Sequence, residues 1–270
     1  MSKAINSLYN MRLLEDMADK ETSIHRLHPL VKLLTTVVYL IGVVSFGRYE
    51  ISGLLPFVFY PVLIFALAEL PVAPVLKRVL IALPFIIGIG ILNPLFDHHT
   101  ILIGGITISR GWITFLSILI KCGLTVTASI LLIATTGMDR LGAALRMLKV
   151  PKIFVLQLLL TYRYISVLIE EVARMQRAYS LRAPGEKGIR PNVWGSFAGQ
   201  LILRTFDRAQ RVYQSMILRG FTGEYNIGGI AKVRFKDFAY LVAWSLFFII
   251  ARIYNLPMLI GLLFTGGLNR

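Results

Sequence analysis

The sequence predicts an all-α, polytopic membrane protein with about five transmembrane helices and long amphipathic cytoplasmic helices. Three observations carry that prediction. Charged residues make up 16% of the chain and hydrophobic ones 56%, with a mean hydropathy of +0.69, whereas an ordinary soluble domain is about 25% charged. Apolar runs near the roughly 17–25 residues that a spanning helix needs recur along the chain. The formal charge of +15 would suggest nucleic acid in a soluble protein. Here it is concentrated in one region between apolar runs, which reads as membrane topology, and no nucleic-acid partner is expected.

The first 30 residues mix acids and bases without an apolar stretch, so no cleavable signal peptide is expected. Run 31–46 is a short span with Lys32 placed to snorkel from its end. Run 51–70 is a full span, and Pro56 and Pro61 are tolerable in a membrane helix with neighbours. Run 79–96 is a third, with Gly88 and Gly90 able to admit a close helix contact. Alternation over 101–109, around Gly104 and Gly105, reads as a small external hairpin. Run 113–136 is a fourth span; Lys121 lies inside it with no partner evident in the sequence. Run 238–264 makes one tilted span, or a span plus an interfacial tail, and Arg252 leaves both open. Residues 1–136, 137–237 and 238–270 are therefore expected as an N-terminal membrane part, a cytoplasmic region and a C-terminal span. Between Thr136 and Phe238 lie 17 Lys/Arg against 7 Asp/Glu, a net of +10. The positive-inside rule places that region in the cytoplasm, the N-terminus inside and the C-terminus outside.

About 100 residues between spans are too many for a plain loop, and they carry two long helical patterns. Ile165, Leu168, Ile169, Val172, Met175 and Tyr179 recur at helical spacing opposite Arg163, Ser166, Glu170, Arg174 and Arg177. This helix is expected from Ile153 to Arg182, with 153–162 too short to cross and lying in the interface. A second runs from about Asn192 to Leu218, and a shorter one, "MDRLGAALRMLKV", stops at Pro151. The two long patterns share R-x-Q-R-x-Y, at 174–179 and 208–213, and each ends in an arginine at a stop signal: Arg182 before Ala183-Pro184-Gly185, Arg219 before Gly220. One reading is a cation complementing the helix dipole. The other is a pair of guanidinium anchors docking in acidic grooves of a partner. Arg163, near a helix entry, is expected to snorkel or to pair with Glu170 or Glu171.

Catalytic motifs are lacking. No G-x-x-x-x-G-K-[ST] occurs, so the chain is not itself an ATPase by that route. The single cysteine, Cys122, excludes an internal disulfide. His25 with His28, and Asp97 with His98 and His99, fall on opposite sides of the membrane and make poor cages. No catalytic residue, metal site or cofactor is expected.

The stretch "TTGMDRLGAALRMLKVPKIFVLQLLLTYRYISVLIEEVARMQRAYSLR" resembles the T component of energy-coupling factor transporters, the EcfT/CbiQ family, and the resemblance spans nearly the whole chain. "DMADKETSIHRLHPLVKL", Asp16 to Leu33, is similar to the cobalt-type members. The resemblance implies a non-catalytic scaffold in a prokaryotic cell membrane that holds two cytoplasmic ABC-type ATPases and serves a separate membrane subunit, a cobalt-type S component, which binds the substrate. It also implies coupling-helix ends with a short X-Arg-X signature, commonly Ala-Arg-Gly. That signature falls on Leu181-Arg182-Ala183 and Leu218-Arg219-Gly220, with leucine for alanine in both and alanine for glycine in the first. Nickel or vitamin cargo, or a scaffold whose basic helices lie on anionic lipid, are the alternatives.

Overall fold

A computed structural model of the chain describes residues 15–96, 100–103, 106–186, 188–223 and 233–254. Its helices are α1 (Pro29–Val44), α2 (Leu55–Leu67), α3 (Val72–Gly90), α4 (Leu92–Phe96), α5 (Arg110–Thr136), α6 (Met138–Met147), α7 (Lys152–Arg182), α8 (Trp194–Leu218) and α9 (Phe235–Ile253). Between α4 and α5, strand β1 (Thr100–Ile103) pairs antiparallel with β2 (Ile106–Ser109), Thr100 opposite Ser109 and Ile103 opposite Ile106. This is the external hairpin expected from the alternation; its turn glycines, Gly104 and Gly105, lie outside the described residues, as do Asp97, His98 and His99 and the expected end of the last span beyond 254. The chain divides into two compact units, residues 17–137 with 231–270, and residues 138–230 with 1–16.

Three helical stretches among the described residues are long and apolar enough to cross a membrane: Val72–Phe96, Arg110–Thr136 and Lys152–Arg182. The third departs from the expectation of an interfacial segment. Tyr164-Ile165 and Val167-Leu168-Ile169 continue the apolar run beyond Arg163, so the helix reaches spanning length by composition. The third expected span also begins earlier, at Val72 behind Pro71, and takes Lys77 and Arg78 into its first turns. Pro29–Val44 and Ser52–Leu67 are apolar but short, about 24 Å each at 1.5 Å per residue, against a hydrocarbon core of about 30 Å.

Helix α1 starts where Pro29 fixes its first residue and the His28 ring Nδ1 accepts the Leu30 N–H at 3.2 Å. Just past its far end, backbone carbonyls take donors from side chains of other helices. Lys121, in the middle of α5, supplies them: its ammonium donates to Phe46 O at 2.6 Å and Gly47 O at 3.1 Å. Arg252, near the end of α9, donates to Ser45 Oγ at 2.9 Å and Ser45 O at 3.0 Å and lies over the Phe46 ring at 4.5 Å. The arrangement is reciprocal. Lys32, in the first turn of α1, donates to Thr135 O at 2.7 Å in the last turn of α5 and to His25 O at 3.3 Å. On both helices the two contacts are separated by about 21 Å, so α1 and α5 run antiparallel, each supplying the lysine that caps the other. Lys121 therefore has its partner, in the backbone of a distant helix.

Helix α9 closes against α1 at both ends. Asp237, 5% exposed, accepts the His28 N–H at 3.1 Å and the Arg234 N–H at 2.8 Å. Between the ends lies an aromatic core of Tyr39, Phe57, Tyr60 and Phe248, all buried. Phe57 and Phe248 stack at 5.5 Å, and Tyr60 meets Trp244 edge-on at 4.8 Å. Pro61 within α2 has no N–H for the Phe57 carbonyl one turn back. The Tyr39 hydroxyl fills that vacancy, donating to Phe57 O at 3.2 Å. Of the two glycines in α3, Gly90 admits a neighbour: a Cβ there would sit 2.7 Å from the Phe115 ring, whereas Gly88 faces open space.

Two outcomes follow for stability. Tyr39→Phe leaves a buried carbonyl unpaired and is expected to cost about 1–3 kcal/mol. That cost should largely vanish in a Pro61→Ala background, where the helix supplies its own N–H; thermal unfolding of the four variants in detergent measures the coupling. His25 provides a pH test. Burial, with Lys32 nearby, holds its imidazole below the ordinary 6.5. The folded unit thus keeps it neutral, and its contribution is present above about pH 6.5 and lost as pH falls through the lowered value. A His25→Gln variant should show a flatter unfolding midpoint between pH 7 and 5.

Candidate functional site

The second unit begins with a tight helix pair. Small residues Gly142, Ala143 and Ala144 are buried on α6 against Val155, Leu156 and Leu159 of α7. A Cβ on Gly142 would meet Leu159 at 2.9 Å, so glycine sets the approach. The reversal between them uses Lys149 at φ +62, with Val150 N–H reaching back to Leu145 O at 3.3 Å, and Pro151 starts α7.

Beyond Leu159, α7 buries nothing further, and α8 has no buried residue. The two rods bound an apolar groove of about 480 Å3 whose walls include Leu160, Tyr164, Leu168, Val212, Tyr213 and Met216. Beside it lies the ionic contact between them. Glu171 on α7 accepts from Arg174, one turn on, at 2.5 and 3.1 Å, and from Arg204 of α8 at 2.7 Å. Arg163 was expected to snorkel or to pair with Glu170 or Glu171; among the described residues it forms no ion pair with either. Arg163 lies two turns, about 10–12 Å, before those carboxylates, outside the i,i+3 and i,i+4 reach that Arg174 satisfies. Arg163 and Glu170 are both exposed, while Glu171 is partly covered. The Arg204 contact was not visible in the sequence, because partners 33 residues apart on separate helices leave no periodic signal.

The two arginine-bearing ends resemble one another in sequence and differ in backbone. Helix α8 ends at Leu218, with Arg219 as its cap residue. Gly220 turns left-handed at φ +79; its N–H bonds Ile217 O at 2.9 Å, and Phe221 N–H reaches Met216 O at 3.0 Å. These two bonds form a Schellman closure, which glycine permits without strain. Helix α7 ends at Arg182, and Ala183 adopts φ −125, ψ 69 with its N–H on Tyr179 O at 3.0 Å. With a Cβ in place the left-handed closure is disfavoured, and the positive φ is deferred to Gly185, at +93. The chain then crosses to α8 through an ion pair of Glu186 with Arg190. Leu181 and Leu218 are 83% and 88% exposed, and Arg182, Arg219 and Gly220 are exposed beside them. Neither arginine forms an ion pair among the described residues.

Metal chemistry has little to draw on. No group of three His, Cys, Asp or Glu side chains that would hold an ion is found among the described residues. His25 bonds Thr22 through Nδ1 at 2.7 Å, and His28 is engaged by its own helix N-terminus.

Residues 20–228 match a protein family described as CbiQ, cobalt transport protein. An uncharacterized protein of Methanocaldococcus jannaschii is 25% identical over 224 residues, covering 78% of this chain and 76% of its own. A second uncharacterized protein of the same archaeon is 28% identical over 128 residues, 46% of this chain and 47% of its own.

The cap geometry predicts an asymmetry between the ends. A Cβ at Gly220 meets nothing within 4 Å, so Gly220→Ala carries only the conformational cost of a left-handed alanine, about 1 kcal/mol. Amide exchange over the last turn of α8 should accelerate about fivefold, with the α6–α7 pair unchanged.

Proposed function

This chain belongs to the CbiQ family of cobalt transport proteins, and we propose that it couples ATPase motion to transport through the ends of α7 and α8. As a family member it is a multi-pass protein of the prokaryotic cell membrane and the non-catalytic transmembrane component of an energy-coupling factor transporter of cobalt type. The finer reading is that two ABC-type ATPases in the cytoplasm each receive one end, Leu181-Arg182-Ala183 or Leu218-Arg219-Gly220. ATP binding and hydrolysis then displace the ends, and the rods carry that displacement to a membrane subunit that binds the cargo, cobalt ion in the first instance.

The observation that supports this reading is an exposed leucine beside an exposed arginine that forms no ion pair among the described residues, at both ends. Leucine, 83% and 88% exposed, gains nothing from water. A partner groove with an acidic wall and an apolar floor satisfies both side chains at once: the guanidinium makes bidentate, charge-assisted bonds, and the leucine is buried. The leucines also distinguish docking from helix-dipole compensation, which needs only the cation. For transmission, each ATPase state must bind its rod end with a different free energy, because a partner that binds both positions equally shifts nothing.

The test uses paired substitutions. Arg182→Lys with Arg219→Lys keeps the charge and loses the planar fork; co-purification of the ATPase subunits is expected to fall by about tenfold or more. Arg182→Glu with Arg219→Glu should abolish it together with ATP-driven cobalt uptake. Full capture and uptake by the lysine pair would point instead to attraction of the basic helices to anionic headgroups. Intact uptake by the glutamate pair would refute coupling through these ends.

A further inference from the structure

We propose that Glu171 is the positioning residue that pins α7 to α8, so that the two arginine-bearing ends move as one pair of levers. The inference rests on the coupling reading for its function and on the geometry alone for the pin.

Glu171 is a single carboxylate with both oxygens committed: Oε2 to Arg174 on its own helix and Oε1 to Arg204 on the other. Its side chain is 16% exposed, against 49% for Arg174 and 51% for Arg204. The acid is therefore the enclosed member and the arginines its outer clamps. Arg174 holds the carboxylate in the orientation that Arg204 needs, which reduces the entropy lost in forming the bond between helices. An isolated surface pair has no such preparation and is worth little. Around this point Val167, Leu168, Thr205 and Arg208 line the shallow space where the rods meet. The apolar faces alone do not fix the crossing, because Ile202, Phe206, Tyr213 and Ile217 remain at least half exposed. An ion-paired contact supplies what an open apolar groove lacks, a defined register and angle.

The positions give the pin mechanical sense. From Glu171 to Arg182 is about 16 Å of helix, and from Arg204 to Arg219 about 22 Å. Both working ends thus lie well beyond the contact and on opposite sides of it, since Met216 and Phe221 at the end of α8 share the groove with Ile153 and Leu156 at the start of α7. Displacement of one end is passed to the other arm only if the crossing holds; otherwise the rods slide on their apolar faces and the motion dissipates.

The experiment measures the separation of the rods directly. With Cys122→Ala as background, spin labels at Ala178 and Gln214, both exposed, report the distance between the distal arms by pulsed electron resonance in nanodiscs. The chain with Glu171 intact should give a narrow distribution. Glu171→Gln should broaden it by about twofold, and Arg204→Gln should do the same, with the double variant no broader than either. Equal widths in all four, or additive broadening, would overturn the pin. Unchanged helix content and melting midpoint check that each variant is folded.

A second arm repeats the measurement in the complex with the ATPase subunits, with and without ATP. A shift between the two states that is coherent with Glu171 and becomes heterogeneous with Gln supports the pin as part of transmission. The same coherent shift in both removes that role. Failure of the intact chain to capture any ATPase would sink the coupling reading while leaving the first measurement to decide the pin.

Discussion

Hydrocarbon offers no partner to a backbone carbonyl, and the first unit of this protein is organised by that constraint. The turn that follows α1 and the last turn of α5, against which α1 lies, both present backbone carbonyls that side chains meet. Two lysines do this crosswise, Lys121 on Phe46 and Gly47 just beyond α1 and Lys32 on the end of α5. An ammonium in a membrane helix is costly when alone. Here each one replaces its lost water with carbonyl oxygens at a helix C-terminus, where the backbone dipole is negative. The same need explains Tyr39, whose hydroxyl meets the carbonyl that Pro61 releases. It also explains Asp237, which takes up two backbone N–H groups at helix starts. A frame built this way resists sliding, because any shift of one helix by a residue exposes several orphaned groups at once.

The second unit is held by different means. Apart from the α6–α7 pair, where Gly142 brings the backbones close, its long helices bury little. Packing does not define how α7 meets α8; an ionic contact and a partly open groove do. Such an arrangement deforms at smaller cost than a close-packed core, whose interlocking side chains have few alternative fits. The two units thus differ in stiffness: one is tied by cross-helix hydrogen bonds at several points, the other chiefly by one ionic contact.

The elements were legible in the sequence wherever a local signal specified them. Apolar periodicity and proline placed α7 and α8 to within a few residues, and alternation gave the small hairpin. The chemistry between elements was not legible. Lys121 looked unpartnered because its acceptors are backbone carbonyls 74 and 75 residues away, and a carbonyl has no residue type to search for. Pairing with Glu170 or Glu171 was one of two accounts of Arg163, the other being snorkelling, and it fails because side-chain reach along a helix ends at about one turn. The extent of α7 was legible to within one residue, and only the reading of its first third as interfacial differs from its spanning length and composition. Arg163, Glu170 and Glu171 were read together as the boundary, although the first of them, flanked by Tyr162, Tyr164 and Ile165, interrupts the apolar run without ending it.

The repeated R-x-Q-R-x-Y segment shows how far sequence similarity can be taken as structural similarity. Both copies continue to a Leu-Arg pair at the end of a helix, and both leave the leucine and the arginine in the open. The residues that follow separate them. Glycine at 220 admits the left-handed turn, so the final carbonyls of α8 are taken up by the chain itself and the direction of the backbone beyond Arg219 is fixed within one residue. Alanine at 183 keeps a negative φ, and the reversal waits for Gly185. Two residues therefore decide whether the arginine sits at a closed end or an open one: Ala183 carries a Cβ, and Pro184 has no N–H for the second closing bond and holds Ala183 away from the helical region. Within this unit the motif fixes the side chains that are offered, and the residues after the arginine fix the backbone that offers them.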